Sequence, residues 1–274
     1  MDLNAFNSIP PWEWLDDAGD VFIEILRDRQ AREEDRLLAA ELAGDYVVIS
    51  DELCAALLAI ALDEDEPEDI RAATASSLGT AIEEADLMGF DDPDDTAIAE
   101  GIFLKIQKAL RAIYMDTSMP ELLRRRALES SSRAPQEWHR GAASSAYSGS
   151  DAGWKLTAMF CMGFLGGFDK EVLEAMESDD TMLVREAVVA AERLGLKAAW
   201  PILVSLVGSE ETDKDVLIAV IDAMVNIWPS EAGMYLLKLA NSDDEEIAFV
   251  ANEGIASADV MAGCDDLDED WDAD

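Results

Sequence analysis

Three stretches decide the fold: DDTMLVREAVVAAERLG (179–195), TDKDVLIAVIDAMVNIW (212–228) and DDEEIAFVANEGIAS (243–257). Each opens on acids or capping residues, then places apolar side chains at i, i+3, i+4 and i+7. Val184, Ala187, Val188 and Ala191 follow this spacing, and so do Val216, Ala219, Val220 and Ala223. That period belongs to an amphipathic helix, and no window alternates long enough for a strand. Acids at the start accept from free N–H groups and complement the helix dipole. The first two stretches are each followed by a second apolar helix, AAWPILVSLVGS (198–209) and SEAGMYLLKLANS (230–242). In this alignment Arg185, Leu217 and Ala248 are equivalent, spaced 32 and 31 apart, and Leu156 and Arg125 fall 29 and a further 31 residues earlier. Such a period is that of a two-helix repeat.

Working outward, Pro67, Gly89, Pro93, Pro120, Pro135, Gly149, the turn Gly208-Ser209-Glu210 and Pro229 punctuate the chain at regular intervals. Proline and glycine break helices, so helices of about 10–20 residues are expected between them. The expected order is a cap over 11–29, then pairs at 31–43 with 51–62 and 67–88 with 96–115. Further pairs lie near 120–149, 151–177, 180–208 and 212–240, and a last helix covers 243–257. The β-branched run Val47-Val48-Ile49 reads as the lead-in to a helix capped by Ser50 or Asp51. Gly163, Gly166 and Gly167 read as a helix-end turn. One domain over 1–261 is expected, with 262–274 (AGCDDLDEDWDAD) a disordered acidic tail.

Residues 63–81 (DEDEPEDIRAATASSLGTA) carry a further pattern: an acidic turn, Ile70-Arg71, small residues, then Leu78-Gly79. It returns as Val184-Arg185-Glu186-Ala187 with Leu194-Gly195, and more weakly at Arg125-Arg126-Ala127. Here the chain resembles the HEAT repeats of the short bacterial type, also seen in phycobilin lyase subunits, over roughly residues 50–256. The resemblance implies an all-α fold, a right-handed α-α superhelix of the HEAT/armadillo type. It also implies that Arg71, Arg125 and Arg185 recur at one repeat position, each bonding a carboxylate or carbonyl of its neighbour. It says little about activity. Two-helix units cannot bury their apolar faces alone and must stack. Small residues such as Ala73, Ala127, Ala158, Ala187 and Ala219 suit close helix contacts.

Chemistry is sparse. His139 is the single histidine, which excludes HExxH zinc sites and paired His-Glu di-iron sites. It stands in Glu137-Trp138-His139-Arg140 with no nucleophile motif nearby, so a surface or packing role is expected. No phosphate-binding loop occurs. Cys54, Cys161 and Cys264 are odd in number and far apart, which suggests neither disulfides nor a zinc ribbon. No cofactor is expected. The acidic runs Asp63-Glu64-Asp65-Glu66 and Asp91-Asp92-Pro93-Asp94-Asp95 lack the order of a calcium loop and read as solvated turns. The tryptophans, among them Trp12, Trp14, Trp138, Trp154, Trp200 and Trp228, are expected to pack between repeats, with one or two free to anchor an interface.

Charge carries more information. The 274 residues hold 60 acids and 20 bases, a net of -40. Such a field repels nucleic acid and anionic membrane and attracts basic proteins. Between 37 and 104 stand 18 acids and one base, Arg71, whereas 105–140 hold eight bases and four acids. That basic stretch is expected to pair internally. The N-terminal residues show no signal-peptide pattern, and the longest apolar run (156–168) is too short for a membrane span, so a cytoplasmic location is expected. The expected function is a non-enzymatic scaffold or adaptor binding a basic protein. Asp63, Glu64, Asp65, Glu66, Asp91, Asp92, Asp94 and Asp95 are the candidate binding residues. A nucleic-acid-mimicking inhibitor, an accessory subunit of a chromophore lyase and plain adaptation to high salt remain alternatives.

Overall fold

The computed structural model describes residues 3–91 and 96–268. Its described residues hold helices and turns without strands, the all-α repeat class expected above. Helices α1 (Leu3–Asn7), α2 (Ala18–Arg27), α3 (Glu33–Leu42), α4 (Asp51–Leu62), α5 (Glu68–Met88), α6 (Glu100–Met115) and α7 (Glu121–Ser132) build the first compact unit, Met1–His139. Helix α8 (Glu137–Ser148) carries the boundary. The second unit, Arg140–Asp274, continues with α9 (Ala152–Leu165), α10 (Asp169–Met176), α11 (Thr181–Arg193), α12 (Trp200–Gly208), α13 (Lys214–Ile227), α14 (Pro229–Leu236) and α15 (Glu245–Asp268). The sequence pattern marks no boundary near 139, because the helical period runs through it.

Helix ends follow local chemistry. Ser50 caps α4 by accepting from the Leu53 N–H at 3.2 Å, and Val47 sits in a short 3-10 turn just before it. Gly166 and Gly167 leave α9 with φ of 60° and 70°, a conformation that costs a residue with a Cβ. Helix α15 runs on to Asp268, past the expected end at 257 and into the stretch expected to be disordered; residues 269–274 lie outside the described residues.

Within the first unit the hairpins are α2–α3, α4–α5 and α6–α7. Their second helices α3, α5 and α7 stack in one layer, and α2, α4 and α6 form the other. The second unit repeats the plan: α9, α11, α13 and α15 form one layer, joined by hairpins α10–α11, α12–α13 and α14–α15. The expected pairing of 31–43 with 51–62 and of 67–88 with 96–115 is therefore out of phase by one helix, and so are the pairs that follow. In the first unit the turns inside the hairpins have five residues each (28–32, 63–67 and 116–120), against eight (43–50) and eleven (89–99) in the links between hairpins. Phe22, Leu26, Leu57, Ile70, Leu78, Ile82, Ile106, Leu110 and Leu123 fill the space between the layers of the first unit.

Small residues set the approach within the second-helix layers. A Cβ on Gly79 would stand 3.3 Å from the Ser130 Cα, between α5 and α7, and one on Gly163 would stand 3.1 Å from the Ala190 Cα, between α9 and α11. The two Leu-Gly pairs aligned above are thus different devices. Gly79 lies inside α5 at a helix crossing, whereas Gly195 ends α11 with φ of 55°. Gly163→Ala should cost about 1–3 kcal/mol through overpacking. Gly141→Ala, on an exposed face of α8 with nothing near the added methyl, should gain up to about 1 kcal/mol from helix propensity. Urea midpoints of the two variants should move in opposite directions.

Candidate functional site

Of the three arginines expected at one repeat position, Arg71 holds it, and its counterparts are Arg36 and Arg124 in place of Arg125 and Arg185. Arg36, Arg71 and Arg124 each lie four residues after the start of a second helix, where their N–H groups bond the carbonyls of Arg32, Pro67 and Pro120. Each guanidinium donates through Nε to the carbonyl of the penultimate residue of the preceding helix. The acceptors are Leu26 (3.2 Å), Ala61 (3.1 Å) and Tyr114 (3.1 Å). Those carbonyls are among the four left without a partner at a helix end, where the dipole is negative. The same side chains reach the next turn. Arg36 Nη1 holds Glu66 at 2.7 Å and Arg71 Nη2 approaches Met119 Sδ at 3.4 Å. Glu66 and Met119 both stand immediately before the proline that starts the next second helix. Arg36 and Arg71 are buried.

Arg125 is the neighbour of the residue that holds the rung, and Arg185 is exposed. The second unit uses a different device. Asp151, Asp180, Asp213 and Asp244 cap its second helices through their carboxylates, and the position four residues on holds Lys155, Val184, Leu217 and Ala248 in turn. The sequence alignment is one residue out at Arg185 because the Asp caps and the Pro starts were not distinguished. The phrase Pro-x-x-x-Arg, at 67–71 and 120–124, was the available signal. Arg36 lacks the proline and was missed.

Of the candidate binding acids, Asp63 and Glu66 are engaged internally. Asp63 ends α4 and pairs with Arg29, whose Nε also meets Glu66 at 3.2 Å. Glu64 and Asp65 are exposed. Asp91 is exposed beyond the other end of α5, about 30 Å away by the 1.5 Å rise of a 21-residue helix. Asp92, Asp94 and Asp95 lie outside the described residues. Asp91 therefore does not share a site with Glu64 and Asp65. What the fold does bring together is the start of each second helix in the first unit: Glu33, Glu34, Glu68, Asp69 and Glu121 are exposed in the first turns of α3, α5 and α7. Beside them runs a groove of about 500 Å³, lined by Leu37, Glu41, Asp69, Ala73, Ser76, Thr80, Leu122 and Arg126.

The basic stretch is dispersed. Arg126 pairs with Glu129 at 2.5 Å and Arg133 with Glu83 at 2.6 Å. Arg124 is a rung, and Arg111 lies 5.5 Å over the Trp138 ring. Elsewhere Arg193 covers Phe160 and Phe164, Lys197 covers Trp228, and Lys214 holds Asp244 and Glu246.

His139 is buried, not on a surface. Its Nδ1 accepts from the Gln136 N–H at 2.8 Å, which leaves Nε2 protonated to donate to Ser131 Oγ at 3.0 Å. Trp138 stacks on Tyr114 and donates through Nε1 to Gln136 Oε1, and Gln136 Nε2 donates to Gln107 Oε1. Burial, with a smaller contribution from the Arg111 charge, pulls the imidazole down to about 4. The buried Cys54 thiol is pushed up to about 12 by burial and then by Asp51, which makes it unreactive. Trp12, expected to pack, is 74% exposed. No helix among the described residues is long and apolar enough to cross a membrane.

No family model matches this sequence, and no curated protein matches it significantly. Similar solved structures include an engineered protein with 16% identity over 88% of this chain and 68% of that one, at a TM-score of 0.43. Another is the karyopherin Kap121p bound to the extreme C-terminus of the protein phosphatase Cdc14p, with 16% identity over 85% of this chain and 27% of that one, at 0.48. Human deoxyhypusine hydroxylase shows 13% identity over 89% of this chain and 96% of that one, at 0.39. The chain thus spans less than a third of the karyopherin.

Two outcomes follow from this geometry. Arg36→Met should cost the first unit about 3 kcal/mol, because it strips a buried carboxylate and a helix-end carbonyl of their donor. Arg185→Met should stay within about 0.5 kcal/mol; chemical denaturation reads both. For His139, the unfolded chain binds a proton near pH 6.5 that the folded chain refuses until about 4. Stability should therefore fall as pH drops through that window, by on the order of 2–3 kcal/mol. The imidazole resonance of the single histidine should titrate near 4, and His139→Gln should remove this part of the pH dependence.

Proposed function

We propose that this protein is a non-enzymatic helical-repeat scaffold that binds a basic segment of another protein through its acidic surface. One observation carries the reading. Arg36, Arg71, Arg126 and Arg133 are taken up in internal ion pairs and helix-end caps, while acids stand exposed in the first turns of α3, α5 and α7. The surface is left with charge that only a partner or counter-ions can neutralise. Acids arranged this way raise the on-rate of a basic partner and impose salt dependence. Both ring nitrogens of His139 are taken up in internal hydrogen bonds, which supports a role without histidine chemistry.

Affinity capture at low ionic strength, read by mass spectrometry, should retain a basic protein. Neutralising Glu64, Asp65, Glu68 and Asp69 to Gln, Asn, Gln and Asn should slow its association about tenfold or more without changing helix content. Capture that retains no protein at low salt would sink the proposal.

A further inference from the structure

The first unit ends on an apolar surface that the packing leaves open. Trp14 is fixed from inside: its ring meets Phe6 at 5.8 Å and Phe22 at 5.5 Å, edge to face, and its Nε1 donates to the Phe6 carbonyl at 3.0 Å. Hollows of about 390 and 350 Å³ lie on its two sides, one reaching Ile9 and Pro11, the other Leu15 and Val47. On the solvent side of this fixed ring, Trp12 is 74%, Leu15 61% and Tyr46 62% exposed. Trp12 sits in a 3-10 turn preceded by Pro10 and begun by Pro11, so its backbone is already ordered. The fixed Trp14 ring between the two hollows, with exposed Leu15 lining one of them, has the character of a preformed binding surface: little entropy is lost there when a partner covers it.

Charge decides the occupant. Glu13, Asp16, Asp17 and Asp20 are exposed around the patch, and neither 1–26 nor 37–70 contains a single Lys or Arg. A second copy of a chain with net charge -40, or its own acidic C-terminal residues, would bring like charge to an acidic rim. We infer that this surface docks an amphipathic basic helix of another protein, its apolar face on Trp12, Leu15 and Tyr46 and its Lys or Arg residues on the rim. The inference rests on the acidic-scaffold reading and adds to it a place and an apolar anchor.

The test uses a labelled amphipathic helix of Leu and Lys, and a peptide of the same composition with the leucines scattered, each titrated with the full chain at low salt. The amphipathic peptide should bind at least ten times more tightly than the scattered one. Trp12→Ser and Tyr46→Ser, each shown by circular dichroism to keep its helix content, should each weaken it at least tenfold. Wild-type affinity in both variants, or equal affinity for both peptides, overturns the docking surface but leaves charge-driven binding standing. Binding of neither peptide overturns both. A dimer in sedimentation, or adsorption to zwitterionic vesicles, that Trp12→Ser abolishes would assign the patch to a second copy or to lipid and overturn the inference.

Discussion

The first unit depends on one contact made three times: a guanidinium from the first turn of one helix closing the carbonyl end of the helix before it. Ala61, in the last turn of α4, is fully buried, so water does not satisfy its carbonyl as it would on a surface helix. A buried unpaired carbonyl costs about 1–3 kcal/mol. Arg71 removes that cost and fixes the angle at which α5 leaves the turn. Arginine suits the task because its fork holds a carbonyl on one edge and still reaches a second acceptor, as Arg36 does with Leu26 and Glu66. Lysine offers a point charge and one such contact fewer. The rung also ties each hairpin to the next turn, so that neither forms independently of the other.

The second unit reaches the same stacking with carboxylates. Its Asp caps satisfy the N–H groups at helix starts instead of the carbonyls at helix ends, and the position held by arginine in the first unit is apolar at Val184, Leu217 and Ala248. Lys214 bridges two such starts, and its contacts with Asp244 and Glu246 lower the Asp244 carboxyl and raise the lysine. Both solutions have the same electrostatic consequence. Arg36 and Arg71 face inward, Arg193 and Lys197 lie along rings, and acids collect where helices begin. The high acidity and the helical stack are thus two results of one arrangement, since first-turn acids favour the dipole they sit on.

Much of this was legible beforehand. The 51–62 helix, its Ser50 cap, the 67–88 helix and the Gly166-Gly167 turn all follow from local rules: capping, proline, glycine and the 3.6 period. Internal pairing of the basic stretch followed from the acids around it. The hairpin phase did not follow from the helical period, which runs alike through every helix; the difference lies in the turns, five residues inside the first unit's hairpins against eight and eleven between them. Nor did the rung at Arg36, which has no proline four residues before it. Arg124, Arg125 and Arg126 are chemically alike, and of the three only Arg124 stands four residues after a proline, as Arg71 does. Trp12 and Trp14 carry the same side chain two residues apart, yet one is locked against Phe6 and Phe22 and the other stands in solvent.

The sequence by itself determined the helical class, most helix limits, the repeat length and the sign of the field. These depend on neighbours within a turn or two, or on composition alone. Tertiary structure decided which arginine closes which helix, why His139 is held neutral and where apolar surface is left uncovered. Each of those depends on contacts between residues far apart in the chain, and a one-dimensional pattern carries no distance between them.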